Sequence, residues 1–285
     1  MKDSPERQYT REWLQVHRPQ PMFDKRIMRL YKKFYGITPK PHTDLQTKEF
    51  KEEFVRWIKS FSMNSYKGLD TFERTDMIQG CTQFIDNLYQ MHGINNVMTV
   101  KGDYRYHWRL NNDIHYYTID DLDSSKVLLM SAPFPATGDL HSEMQDYLDK
   151  CLELGIPVHL DGAWASCCRN IDIDLSHPAI QSFAVSLSKG GMGGNRVGLR
   201  WHKEPVYDSI TISNDFSMNQ QALMHLGTVF MRELGPEYLW RTYEKEYEKV
   251  CRDFGLTPTN AIHIALDENG DDVGVRPLIR CLKDE

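Results

Sequence analysis

Two short stretches concentrate side chains that can handle an anionic, electrophilic small molecule. In VHLDGAW (158–164) a single carboxylate, Asp161, directly follows a run of strand-forming residues. A carboxylate at a buried strand end is costly unless it meets a cation or a donor, so Asp161 is either a cap or ion-pair partner within the fold or a contact to a bound cation. In SLSKGGMGGNRVG (186–198) Ser186 and Ser188 precede Lys189, four glycines follow among the next five residues, and Asn195 and Arg196 close the turn. Strand alternation puts Ser186 and Ser188 on one side, and the glycines let backbone approach a ligand closely. A lysine, two hydroxyls and an arginine converging on one spot suit an anion that carries an electrophilic carbon. A third stretch, Gly80-Cys81-Thr82, lies between a short strand, DMIQ (76–79), and a helix. Backbone N–H groups, the positive helix end and the Thr82 hydroxyl make it a phosphate cradle, although the same residues also serve as a plain cap.

These residues need a frame, and the hydrophobic periodicity supplies one. Strands are predicted over 96–100, 126–132, 156–161 and 182–188, with a helix over 140–155 between two of them. Such alternation predicts an α/β fold with a mostly parallel mixed sheet sandwiched by helices, in which ligands sit beyond the carboxyl ends of the strands. Ahead of it, helices are expected near 24–35 and 47–62, and another runs through Phe84, Ile85, Leu88 and Tyr89 to Gly93. The tail from about 216 reads as two helices followed by strands at 260–267 and 274–282, a reduced C-terminal α+β domain. The organisation expected is an N-terminal arm with helices (1–65), a large domain (66–215) and a small domain (216–285).

A ligand that suits all three strand ends has a phosphate, a carbonyl that condenses with lysine and a ring nitrogen that wants a carboxylate; pyridoxal 5′-phosphate has these features. At this point the chain resembles the fold type I pyridoxal-phosphate enzymes of the aspartate aminotransferase superfamily, class I/II aminotransferases in particular. The resemblance spans about residues 75–200: the GCT turn, PFPATG (133–138) where the family tends to have Pro-x-Asn-Pro-Thr-Gly, DGAW where it has Asp-x-Ala-Tyr, and SLSK followed by RVG where it has Ser-x-Ser-Lys and Arg-x-Gly. It implies that Lys189 forms the Schiff base and shuttles a proton, and that Asp161 keeps the pyridine nitrogen protonated. Gly80, Cys81, Thr82, Ser186, Ser188 and Arg196 would hold the phosphate, with Ala163 on one ring face and Tyr104, ahead of Tyr106 or Trp108, on the other. A tyrosine of a partner subunit often reaches the phosphate in this family, and Tyr66 is the candidate.

Pro135 stands where the family has an asparagine and Trp164 where it has a tyrosine, so donors to the cofactor's phenolic oxygen are altered. Lys189 and Arg196 are also one residue closer than is commonest. Arg276, then Arg280, matches the arginine that anchors a substrate carboxylate, or else is a surface arginine; His263 reads as a packed or capping residue. The resemblance implies an aminotransferase acting on an amino acid or related amine and a carbonyl acceptor, as a homodimer. The alternatives are another fold type I reaction, a decarboxylation or β/γ-elimination, and a non-covalent phosphate or nucleotide module built on GGMGGNR.

The whole sequence fits a soluble enzyme. Its 285 residues are 40% apolar and 26% charged, with a net charge of -6, which speaks against a nucleic-acid partner. The densest basic stretch, KRIMRLYKKFYG (25–36), reads as a helix with a solvated basic face. No apolar run approaches the ~20 residues of a membrane span, and no signal core opens the chain, so a cytoplasmic location is expected. Six cysteines, at 81, 151, 167, 168, 251 and 281, show no metal-type spacing and read as reduced thiols, with no metal expected.

Overall fold

The computed structural model describes residues 22, 24–35 and 44–279. Its centre is a six-stranded sheet in the order β2-β8-β7-β5-β4-β3, made of β2 (Arg74–Ile78), β3 (Val97–Met98), β4 (Val127–Ser131), β5 (Val158–Gly162), β7 (Ile180–Ser186) and β8 (Gly198–His202). Strands β3, β4, β5 and β7 run parallel, while β8 is antiparallel to both of its neighbours, β7 and β2. Strand β2 therefore points the same way as the parallel set. All of its carboxyl ends fall on one edge, and Gly198 pairs with both Ile78 and Ser186, bringing the ends of β2 and β7 level.

Alternate residues of the sheet are buried on opposite faces, as a sheet covered on both sides requires. Leu128 and Met130 of β4 join the large apolar cluster, whereas Val127 and Leu129 join a second one with Phe84, Ile85 and Leu88. The latter three belong to α3 (Cys81–His92), which covers that face. The large cluster holds the other face together with α5 (Met144–Leu154), which contributes Met144, Tyr147, Leu148 and Cys151. It continues into α1 (Lys25–Tyr35), α2 (Asp44–Lys59), α7 (Gln221–Glu233) and α8 (Tyr238–Phe254). Helix α1 turns Ile27, Leu30 and Tyr31 inward and leaves Lys25, Arg26 and Lys32 exposed, a solvated basic face. The remaining helices are short, α4 (Tyr106–Leu110) and α6 (Ser209–Asp215).

Several elements differ from the periodicity reading. Strand β8 and the two-stranded parallel pair β1 (Ser65–Lys67) and β6 (Asp172–Asp174) carry too few residues with a distinctive pattern to be read from sequence. The C-terminal sheet has three strands, not two: β9 (Thr257–Pro258), β10 (Ile264–Leu266) and β11 (Asp272–Gly274) in the order β11-β10-β9. The strand expected over 274–282 is corrected: residues 276–279 form a helical turn, with the Ile279 N–H on the Val275 carbonyl at 3.2 Å. Pro277 explains it, because proline cannot donate to a ladder but is tolerated in the first turn of a helix. Residues 280–282, with Arg280 and Cys281, lie outside the described residues, as does most of the arm before residue 24.

Candidate active site

The three sequence stretches meet at the carboxyl edge of the sheet. After β2 the chain passes through Gly80 (φ 76°, ψ 166°) into α3. A Cβ at Gly80 would lie 2.7 Å from Arg196 Nε, so only glycine lets the guanidinium rest against this turn. Arg196 donates through Nη2 to Thr82 Oγ1 at 2.6 Å. A guanidinium and a hydroxyl thus stand beside the first turn of a 12-residue helix, whose leading N–H groups have no intrahelical partners.

Strand β7 ends at Ser186, and Leu187 is helical (φ -78°, ψ -2°), so Ser188 leaves the strand. Alternation is therefore not what unites the serines. The turn does so, placing the two Oγ atoms 2.8 Å apart, with Ser188 N–H donating to Ser186 Oγ at 3.2 Å. Lys189 sits in the wide helical turn Ser188–Met192, closed by Gly193 N–H on the Ser188 carbonyl at 2.9 Å. Its Nζ lies over the Trp164 ring, 4.4 Å from the centroid. Burial pulls the amine's pKa down, with Arg196 reinforcing it, while Cys167, Cys168 and Asp161 oppose.

Asp161, on β5, is 2% exposed and accepts the Ala163 N–H at 2.9 Å. Burial pushes its carboxyl up to about 6 and Asp103 adds to the push, against the Cys81 thiol, the Ala163 N–H and Arg196. Asp161, Ala163 and Trp164 form one wall of a cleft whose space, open mouth included, is about 440 Å³. Cys81 and Thr82 of the first turn, Ser186 at the end of β7, Ser188 and Lys189 of the lysine turn, and Arg196 beyond it form others. Tyr104 completes the lining from the loop before α4; it is exposed and its ring stacks on Tyr106 at 5.8 Å.

Two lining residues, Ile85 and Ser131, escaped the sequence reading. The signal for Ser131 was present, since it ends β4 as Asp161 and Ser186 end or approach the ends of theirs. Its N–H donates to Asp103 Oδ2 at 2.9 Å and its hydroxyl to the same carboxylate, which also accepts the Tyr104 N–H at 2.6 Å. Asp103 thereby ties the loop of Tyr104 to the end of β4. Other expected residues fall elsewhere. Tyr66 is buried in its own chain, stacked on Phe183 at 5.8 Å, and is not among the residues lining the cleft. Arg276 opens the helical turn after β11, not a strand, and is not among the residues lining the cleft. Among the described residues no three His, Cys, Asp or Glu side chains gather as a metal site, and no helix is long and apolar enough to cross a membrane.

No protein-family model matches the sequence, and no curated protein is significantly similar to it. Solved structures are similar in fold. An aromatic aminotransferase from Pyrococcus horikoshii superposes with a TM-score of 0.62 at 14% identity, over 87% of this chain and 78% of its own. A probable N-succinyldiaminopimelate aminotransferase from Thermus thermophilus gives 0.61 at 12% identity, over 95% and 92%. A PLP-bound C-S lyase from Staphylococcus hominis gives 0.60 at 11% identity, over 85% and 73%. The chain has the fold of the fold type I pyridoxal-phosphate enzymes.

Proposed function

We propose that the chain is a pyridoxal 5′-phosphate-dependent aminotransferase acting on an amino acid or related amine, with a carbonyl compound as acceptor. The observation that carries this reading is that Asp161 and Lys189 line one cleft with the Arg196–Thr82 pair at the start of α3. The residues fit the cofactor by their chemistry. A buried carboxyl lifted to about 6 is one that a cationic ring nitrogen would stabilise as the anion. An arginine, two paired serine hydroxyls and a helix N-terminus suit a phosphate. When bound, the cofactor supplies an aldehyde that captures amines and a ring that withdraws electrons from bonds at the amine's α-carbon.

The protein's own groups supply the rest. Burial lowers the proton affinity of Lys189, which favours the neutral amine needed as nucleophile and as the base that moves the proton at the substrate's Cα. Asp161 would keep a proton on the ring nitrogen of a bound cofactor. Thr82, Ser186, Ser188, Arg196 and the turn Gly80-Cys81 would hold the phosphate, and Ala163 and Tyr104 would contact the ring. The Trp164 indole, already under the Lys189 amine, orients it toward the cleft. Arg276 remains the residue proposed for a substrate carboxylate. We take the enzyme to be a homodimer in the cytoplasm; the five cysteines among the described residues are buried free thiols, which suits a reducing compartment.

The likeness to a C-S lyase favours one second reading, a fold type I elimination or decarboxylation. A non-covalent phosphate module leaves the lowered pKa of Lys189 without a use. The test is to add pyridoxal phosphate to the purified protein, record the visible spectrum, and screen amino acids with keto acids for products. An amine transferred to the keto acid supports the aminotransferase. Carbon dioxide or a released thiol or other fragment assigns the second reading. A protein that stays colourless, or a K189A variant with an unchanged band, refutes both.

A further inference from the structure

His263 has no task in the chemistry above, yet it is wholly buried and lies against the lysine turn. Its Nε2 is 2.8 Å from the backbone carbonyl oxygen of Lys189. A carbonyl only accepts, so Nε2 carries the hydrogen, and in the neutral ring Nδ1 is then bare. Nδ1 is buried without a conventional hydrogen-bond partner, and the ring is within electrostatic reach of the Cys167 thiol. The imidazole also packs at 6.4 Å from the Trp164 ring, the indole beneath the Lys189 amine. The Cys167 carbonyl in turn accepts the Ile262 N–H at 3.2 Å and Trp240 Nε1–H at 3.0 Å. One side chain thus wedges together the exit of β5, the lysine turn and the C-terminal segment before β10.

The turn Ser188–Met192 needs such contacts because it contains two glycines, with Gly191 at φ 133° and Gly193 and Gly194 just beyond. Its geometry is held from outside by the Tyr31 hydroxyl on the Gly191 carbonyl at 2.7 Å and by His263 on the Lys189 carbonyl. We infer that His263 is a positioning residue for Lys189, fixing its peptide from the C-terminal segment so that the ε-amine stays over Trp164 in the cleft. The inference rests on Lys189 being the amine that captures the cofactor. The charged or titratable groups that act on this amine are Cys167, Arg196, Cys168 and Asp161, and burial outweighs each of them. Loosening the turn therefore exposes the amine and returns its pKa upward toward the ordinary lysine value.

The experiment mixes the cofactor-free full chain with pyridoxal phosphate, reduces with borohydride, and quantifies the label on Lys189 by mass spectrometry from about pH 6 to about pH 10. H263F and H263N remove the donor at Nε2, and each is expected to label on the order of tenfold more slowly at neutral pH, with its half-labelling pH moved upward. H263Q, whose amide nitrogen reaches the same place, is expected to recover most of both. A merely structural role lowers the unfolding temperature without moving the half-labelling pH. Folded H263F or H263N with the wild-type rate and half-labelling pH overturns the inference, as does H263Q behaving like H263N. Wild-type protein that takes no label on Lys189 overturns the cofactor reading itself, and the inference falls with it.

Discussion

Asp161 shows what a single buried group does to the cofactor-free protein. Its carboxyl titrates at about 6 in the folded chain, chiefly through burial, against about 4 in an unfolded one. Between those values the folded state binds more protons than the unfolded state, so stability falls as pH rises through the window and levels off above it. The shift amounts to on the order of 3 kcal/mol. D161N abolishes this titration and leaves the others in place. The stability of D161N relative to wild type is therefore expected to rise from pH 4 to pH 6, measured by urea unfolding without cofactor. A difference that stays flat over this range would show that the folded carboxyl is not held protonated.

At the scale of elements, a buried charge network fixes the edge of the sheet that carries the first turn of the site. Arg200 on β8 donates to Asp76 on β2 at 2.8 Å, to Thr211 on α6 at 3.0 Å, and through both Nη atoms to Asp208. Asp208 also caps α6, accepting the Thr211 N–H at 2.8 Å, and takes a hydrogen bond from Asn87 of α3 at 2.8 Å. His202 reaches Asp76 at 2.9 Å. Burial opposes charge on Asp76, but the His202 and Arg200 contacts overcome it and hold this carboxyl well below its usual range. R200M leaves two buried carboxylates poorly compensated and is expected to cost about 3–5 kcal/mol in urea unfolding at neutral pH. The loss shrinks on acidification, because protonation of Asp76 and Asp208 relieves the unpaired charge. A cost under about 1 kcal/mol would mean that water or other donors satisfy the carboxylates and that the network does not lock the edge.

At the scale of the molecule, one apolar cluster runs from Met22 and Phe50 through the sheet to Tyr247 and Ile279. It joins residues of the N-terminal helices, the sheet and the C-terminal segment. Phe50 of α2 is fully buried, and a Cβ on Gly227 of α7 would lie 3.0 Å from its ring, so that glycine is what lets the two helices close on each other. F50A is expected to cost about 3–5 kcal/mol and to lower one common thermal midpoint, read alike by far- and near-ultraviolet circular dichroism. Phe50 is not a lining residue of the cleft. Two separated transitions, with only one moved, would show that the N-terminal helices and the sheet do not unfold as one unit.

What could be read from the sequence alone is local. Strand runs ending in Asp161 or in Ser-Leu-Ser-Lys, a glycine opening α3, and apolar residues at helical or alternating spacing need only their neighbours to declare themselves. The order of the motifs then pointed to the fold, since chain order survives where identity to similar structures has fallen to 14% or less. Other features came only with tertiary structure. The insertion of β8 between β7 and β2 depends on pairing with β2, which lies far earlier in the sequence. Tyr66 turns inward because Phe183 offers it a face, Ser188 meets Ser186 through a turn and not along a strand, and Pro277 ends β11 in a helical turn. His263, from a segment 74 residues away, finds the Lys189 carbonyl. For Ser188 and Pro277 the local backbone decides; for the β2–β8 pairing, Tyr66 and His263 the deciding partner is distant along the chain, and a backbone or buried polar group takes whichever partner the packed core places within reach.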